Sequence, residues 1–286
     1  MKIGFVILHF CAIEDTKKCV ASIMKNVSEA EYEIVIIDNA SPDKSGKILE
    51  KIYKKNKNIN VIINEKNMGF ARGNNVGFEY AKRKLKCDFI ILLNNDTYLI
   101  QNDLDRKIID EYNKSEFAVM GPKILLKGNK VQPVENKLFT VNEMKKFLLL
   151  NYIILFLSYF RLYDIVKKIF NGKKKISMRE VSIKVNERQE DVILHGCFLI
   201  FSPQYINKFD GLDDRTFLYC EEHLLYLRLK KSNLLSVYNP NVIIFHSEDA
   251  ATNTIARSDR KKNIFVSKNK IKSGKILLSE LKKYNY

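Results

Sequence analysis

With 286 residues, 46% hydrophobic and 29% charged, the chain has the make-up of an ordinary folded protein, with enough length for a sizeable core in one large domain or two small ones. Its 49 Lys and Arg against 33 Asp and Glu give a formal net charge of +16. That balance favours anionic partners (nucleic acid, anionic lipid or phosphorylated substrates) without choosing among them. The five cysteines, Cys11, Cys19, Cys87, Cys197 and Cys220, are odd in number and form no C-x-x-C pair, which argues against a disulfide framework or a zinc site and for a reducing compartment.

The opening MKIGFVILHFC lacks a small-residue cleavage site and an extended apolar region, so it reads as a first buried strand rather than a secretory signal. Buried strands are expected at Lys2–Phe10, Glu33–Ile37, Asn60–Ile63, Phe89–Leu93 and Phe117–Met120. Each is short, rich in Ile, Val, Leu or Phe and without strict alternation, as strands covered on both faces are. Helices are expected between them, over 15–28, 44–57, 71–85 and 104–113, the last capped by Asp103. This alternation predicts an α/β fold with a mostly parallel central sheet flanked by helices.

Ligands of such sheets sit beyond the carboxyl ends of the strands. Three polar clusters fall there: DNASPDKSG from Asp38 to Gly46, NEKNMGFARGNNVG from Asn64 to Gly77, and NND from Asn94 to Asp96. Turn chemistry alone explains any one of them; three on one rim point to a shared site. No G-x-G-x-x-G follows the first strand and no P-loop occurs. Gly69, Gly73 and Gly77 recur every four residues in a polar stretch, which excludes a membrane packing face and suits close backbone approach.

Further on, 135–172 breaks the pattern. Its core, Phe147–Phe160, is apolar and aromatic but too short to span a bilayer, which takes about 20 residues. It suits an interfacial helix whose flanking Lys145, Lys146, Lys167 and Lys168 meet anionic headgroups; a buried helical hairpin against the sheet or a dimer face are the alternatives. In YCEEHLLYLRLKK, Glu221 and Glu222 are adjacent, so on a helix they point about 100° apart and cannot share one role. A surface helix with its acids near the positive end accounts for them equally well. His223 suits packing or a solvent-facing place rather than catalysis, His195 could line the acceptor side or equally fill a core or rim place, and His9 ends the first strand near the rim. The basic C-terminal stretch 251–286 reads as helical, covering the domain or touching a membrane; Lys130 and Lys173 to Lys175 fall in loops.

In order along the chain, IVIIDNAS, NMGFARGNN, LLNND and the block from Gly196 to Leu234 (GCFLIFSPQYINKFDGLDDRTFLYCEEHLLYLRLKKSNL) resemble the inverting glycosyltransferases of family 2. They are most similar to the rhamnosyltransferase-like branch that builds bacterial surface polysaccharide. The resemblance covers residues 2–248 and implies the GT-A fold, with a catalytic domain over 1–250, a helical insertion over 135–180 and a basic tail over 251–286. Asp38 is then expected to contact the nucleotide base. Asn67, with the loop from Gly69 through Arg72 to Asn75, would border the nucleotide, its ribose and the diphosphate, and Asn94 lies beside them. Asp96 matches the last acid of the family's metal-binding D-x-D, with Asn94 in place of the first. His246 matches a histidine that assists the metal or diphosphate. Glu222 or Glu221 supplies the general base. Cys220 stands where the branch usually has Gly, and Glu222 where it has Asp, which weakens the assignment of rhamnose.

A nucleoside-diphosphate leaving group departs more readily when Mn²⁺ or Mg²⁺ neutralises it; one Asp with the diphosphate suffices to hold the cation, and a His suits Mn²⁺ at least as well as Mg²⁺. The resemblance thus implies transfer from a nucleoside-diphosphate sugar (dTDP-rhamnose or a UDP-hexose) to a polyprenyl-diphosphate-linked saccharide, at the inner face of the cell membrane, with peripheral membrane contact and a homodimer as an option. The rival readings are a same-fold transferase with a different donor and a soluble or protein-linked acceptor, and a non-catalytic membrane-associated binding protein. Nucleic acid is not an expected partner, because the basic residues form no reader motif.

Overall fold

The computed structural model describes residues 1–27, 29–163, 184–247 and 259–284. Lys167, Lys168, Lys173 to Lys175 and positions 251–258, to which the sequence reading assigned roles, lie outside the described residues. The N-terminal half alternates as expected: β1 (Lys2–His9), α1 (Ile13–Asn26), β2 (Glu31–Asp38), α2 (Ser45–Tyr53), β3 (Ile59–Ile63), α3 (Phe70–Arg83) and β4 (Phe89–Asn94), then β5 (Thr97–Leu99) and α4 (Leu104–Ser115). There follow β6 (Val119–Leu126), β7 (Lys130–Val131), α5 (Val141–Tyr159), β8 (Gln189–Glu190), β9 (Phe198–Phe201), α6 (Pro203–Ile206), α7 (Glu221–Lys231), β10 (Ser236–His246) and α8 (Asp259–Lys283).

Among the described residues the strands form one sheet in the order β3-β2-β1-β4-β9-β6-β10-β5, with β7 and β8 attached to β6 and β10. From β3 to β4 it is parallel. Beyond that it is mixed, because β9 runs antiparallel between β4 and β6, while β6 and β10 are parallel to each other. The expected parallel sheet therefore holds for the N-terminal half. The antiparallel strand comes from the Gly196 block, whose apolar run specifies a buried strand but not its direction. The expected strand Phe117–Met120 starts two residues later and runs on to Leu126. Pro122 interrupts it in sequence, yet it falls where the register with β10 shifts between Asn239 and Ile243, and such an irregularity tolerates proline.

The strands lack alternation because both faces are covered. Ile3, Phe5 and Ile7 of β1 pack with Cys19, Val20 and Ile23 of α1; Val6 on the opposite face packs with Phe78 and Ala81 of α3. Burying side chains of this size contributes about 1.5–3 kcal/mol each. Glycines let α3 sit close to the sheet. A Cβ on Gly77 would lie 2.3 Å from Val6 Cγ1, and one on Gly73 would lie 2.7 Å from Leu8 Cδ1. Asp103 precedes α4 but makes no capping hydrogen bond. Its carboxylate pairs with Lys107 at 2.9 Å instead, a competing partner that the spacing alone did not reveal.

A third core cluster stands apart from the sheet. Met144 and Leu148 of α5, Leu224 and Leu227 of α7, and Leu277 and Leu281 of α8 pack together with Cys220. The apolar middle of the sequence therefore forms a helix against α8 rather than a hairpin against the sheet. Thr140 and Glu143 fix its start through a capping box.

Candidate active site

Parallel register brings the strand exits to one rim. His9 ends β1 beside Asp38, the last residue of β2, and Leu8 pairs with Asn94 at the end of β4. After two intervening residues, Asn95 and Asp96, the chain enters β5, which pairs antiparallel with β10 so that Thr97 faces His246. This pairing brings Asp96 to His246: the Oδ1–Nε2 distance is 3.2 Å, and the Ser247 amide donates to the Asp96 carbonyl at 3.0 Å. Positions 150 residues apart in sequence thus meet at one corner of the sheet, both of them buried.

On the neighbouring exit, Asp38 accepts from the Ser41 hydroxyl at 2.5 Å and from the Ser41 amide at 3.2 Å. Asn39 organises the next loop. Its side-chain amide donates to Asn67 Oδ1 (3.1 Å) and the Gly69 carbonyl (3.0 Å), and its oxygen accepts from the Met68 amide (2.9 Å). Gly69 has φ of 81°, and a Cβ there would meet the Phe217 carbonyl at 2.4 Å, so both conformation and space select glycine. His9 bridges Thr16 through Nδ1 and Ser45 through Nε2, both at 2.7 Å. Burial lowers its pKa, which leaves a neutral ring that braces the rim.

The acidic pair begins α7. Tyr219 and Cys220 both take left-handed backbone, with φ of 74° and 69°, an unfavourable conformation for non-glycine residues that turns the chain sharply into the helix. Glu221 is buried; desolvation first, and the neighbouring Glu222 charge second, raise its pKa. Glu222 is half-buried and accepts from the Gly196 amide at 3.3 Å. The His195 ring, next to Gly196, lies 6.0 Å from the His246 ring. Asp96, His246 and His195 thus adjoin one another, and Glu222 reaches the backbone next to His195.

The loop residues divide. Asn67 and Gly69 shape the turn around Asn39. Arg72 donates to the Asp214 carbonyl at 2.9 Å, and Asn75 holds Leu212 at both ends of its amide, at 2.7 and 2.9 Å. With the Phe70 amide on the Phe217 carbonyl at 2.8 Å, these contacts fasten the start of α3 to the segment 211–217 that leads to the acidic pair. Arg72 and Asn75, in the first turns of α3, thus tie that helix to the segment 211–217. The sequence does not single out Asn39, although it lies in the quoted cluster, nor Phe217; the helical C-terminal stretch expected to cover the domain is present as α8 (Asp259–Lys283). His223 packs on Phe139 with ring centroids 5.0 Å apart, the packing role expected of it.

Among the described residues no three His, Cys, Asp or Glu side chains gather as a self-sufficient metal cage. Asp96 and His246 offer one carboxylate and one imidazole, and the buried His246 Nδ1 has no hydrogen-bond partner among the described residues. That donor set fits a divalent cation whose remaining ligands come from substrate phosphates and water.

The profile described as Glycosyl transferase family 2 matches residues 5–179. An uncharacterised glycosyltransferase of Haemophilus influenzae is 30% identical over 83 residues, 29% of this chain and 32% of that protein. The low-salt glycan biosynthesis hexosyltransferase of Haloferax volcanii is 23% identical over 123 residues, 43% of this chain and 36% of that one. The matched stretch thus spans about a third of each curated relative. Crystal structures of S. aureus TarS share the fold. The complex with UDP-GlcNAc superposes with a TM-score of 0.57 at 14% identity, over 98% of this chain and 71% of that one. The structure of TarS without a named ligand gives 0.54 at 13% identity, over 86% and 60%.

Proposed function

The chain belongs to glycosyl transferase family 2, and from that premise we propose that it is an inverting, metal-dependent transferase that moves a sugar from a nucleoside diphosphate to a hydroxyl of a lipid-linked saccharide. The observation that carries this reading is the juxtaposition of Asp96 and His246 (3.2 Å apart) with His195 and, at the neighbouring Gly196 amide, Glu222, beside the loop organised by Asn39.

In this reading Asp38 and the loop from Asn67 to Gly69 hold the nucleoside, and Asn94 borders the diphosphate. Asp96 and His246 would hold Mn²⁺ or Mg²⁺, which supplies positive charge to the departing diphosphate. Glu222 accepts the proton of the acceptor hydroxyl as its oxygen attacks the anomeric carbon. One carbon–oxygen bond forms and the bond to the diphosphate breaks on the opposite face, so configuration inverts and the nucleoside diphosphate leaves. Glu222 is the better base because Glu221 is buried and its raised pKa favours the protonated form. The TarS complexes with UDP and with UDP-GlcNAc favour a UDP-hexose over dTDP-rhamnose as donor. A lipid-linked acceptor places the enzyme peripherally on the inner face of the cell membrane; among the described residues no helix is long and apolar enough to cross a bilayer.

Calorimetry with a panel of nucleotide sugars, with and without Mn²⁺, tests the reading. One donor is expected to bind at micromolar strength only with the cation, and Asp96→Ala is expected to abolish that dependence. Absence of metal-dependent binding across the whole panel would remove the donor assignment.

A further inference from the structure

Helix α5 presents a row of large apolar side chains to solvent. Leu149, Tyr152, Ile153, Phe156, Tyr159 and Phe160 are 43–63% exposed, and their spacing of three and four residues places them on one face. The adjoining face, with Met144 and Leu148, is buried against α8, where Gly274 allows close approach: a Cβ on it would lie 2.9 Å from Leu148. Exposed apolar surface of this kind marks an interaction site.

The charge beside this row is of one sign. Residues 144–163 contain three basic residues, residues 260–279 contain seven, and neither stretch contains an Asp or Glu. Two of these lysines line the apolar row directly: Lys268 Nζ lies 5.4 Å from the Tyr159 ring centroid and Lys275 Nζ lies 5.6 Å from that of Tyr152. Lys272 is exposed between them on α8. At the end of the row Arg161 and Arg260 line a cavity of about 290 Å³.

We propose that α5 and α8 together form a docking surface for an anionic phospholipid bilayer. The apolar row enters the acyl boundary, while Lys268, Lys272 and Lys275 meet headgroup phosphates. Parallel ridges of apolar and cationic side chains match the layering of such a surface, and tyrosine favours its boundary. A second copy of this chain fits less well, because it would bring another all-basic layer against the first.

The surface is also linked to the chemistry through α8. Another side of α8 supports the segment before the acidic pair: the Ser273 hydroxyl donates to the Leu218 carbonyl at 2.7 Å, and Lys270 Nζ lies 5.3 Å from the Tyr219 ring. Docking would hold the segment that leads into the acidic pair beside the bilayer-bound helix, where a lipid-linked hydroxyl would be presented. That last consequence rests on the transferase reading; the docking itself does not.

The test is co-sedimentation of the full chain with vesicles of phosphatidylcholine, with and without phosphatidylglycerol, in the absence of donor and acceptor. Wild type is expected to bind the anionic vesicles about tenfold or more tightly than the neutral ones, and to release them in high salt. Two combined variants, Leu149→Ser/Phe156→Ser/Phe160→Ser and Lys268→Gln/Lys272→Gln/Lys275→Gln, are each expected to lose about tenfold or more. Both should keep wild-type circular dichroism and nucleotide binding, which separates docking from folding and from the transferase reading. Failure of wild type to prefer anionic vesicles, or full binding by either folded variant, would overturn the proposal. So would a dimer in solution that the serine variant converts to monomer, since the face would then belong to a second copy.

Discussion

Glu221 and Glu222 are neighbours in sequence that the helix sends into different surroundings. Glu221 is buried, and desolvation with the adjacent charge raises its pKa to about 8. A raised folded value means that the native state binds the proton more tightly than the unfolded chain does. Its contribution to stability is therefore complete below the ordinary value near 4.5 and is lost as pH rises through the folded one. Glu221→Gln, which mimics the neutral acid, should exceed wild type in stability above pH 8, by about 2 kcal/mol. That advantage should shrink toward pH 5 in thermal melts across the pH range. Glu222→Gln should behave differently: donor affinity unchanged, with turnover lowered about 10²- to 10⁴-fold. Full turnover in that variant would move the base elsewhere. Asn39 is the third residue whose role the structure defines, since one amide holds Asn67, Met68 and Gly69. Asn39→Ala should leave buried groups unpaired, at about 1–3 kcal/mol, and should raise KM for the donor more than it lowers kcat.

At the scale of elements, α3 is both a core helix and the positioning device of the site. Its inner face rests on β1 and β2 because Gly73 and Gly77 present no side chain there, and its first turns bind the segment 211–217 through Phe70, Arg72 and Asn75. Packing and loop placement are thus coupled through one rigid element. Gly77→Val is expected to force α3 away from Val6 and to cost about 1–3 kcal/mol, the usual effect of overpacking. Because the displaced helix carries Gly69, donor affinity should fall with stability. A variant that is destabilised yet binds donor normally would show that the loop is held independently of the helix.

Across the whole molecule, α8 links three regions. Glu280 on it accepts from Arg215 and Lys231, both at 2.9 Å, and from Lys283 at 3.0 Å. These bonds, that of Lys231 first, hold its pKa down at about 2. A depressed carboxylate stabilises the fold above its unfolded value near 4.5, and this contribution fades as pH falls toward 2. Because the basic partners are partly exposed, solvent screening limits the effect to about 1–2 kcal/mol. Glu280→Gln should lower the unfolding free energy by that amount at pH 7, and the difference from wild type should vanish in acid. Since Arg215 also pairs with Asp213 at 2.5 Å, the same variant loosens the segment leading to Glu222, and a modest loss of turnover should accompany the loss of stability.

The α/β class and the three polar clusters at strand exits were legible in the sequence because both are local. An apolar run without alternation reports a strand covered on two faces, and Asn or Asp at its end reports a rim. Asp38 and Asp96 could be picked out by the same logic, whereas the acidic pair, at the start of a helix, was equally well a surface feature until the family resemblance marked it. What followed from tertiary structure depends on distance in three dimensions. The insertion of β9 antiparallel beside β4 is a pairing choice that its own residues do not encode. The meeting of Asp96 with His246 depends on a second long-range pairing, that of β5 with β10. The different fates of Glu221 and Glu222 depend on what covers each carboxylate, and the use of Asn75 and Arg72 as ties depends on which loop lies opposite. Residue types and their local pattern fix which groups of this chain are able to do chemistry; which of them share a site follows from the packed fold, because desolvation and hydrogen-bond reach are properties of neighbours in space.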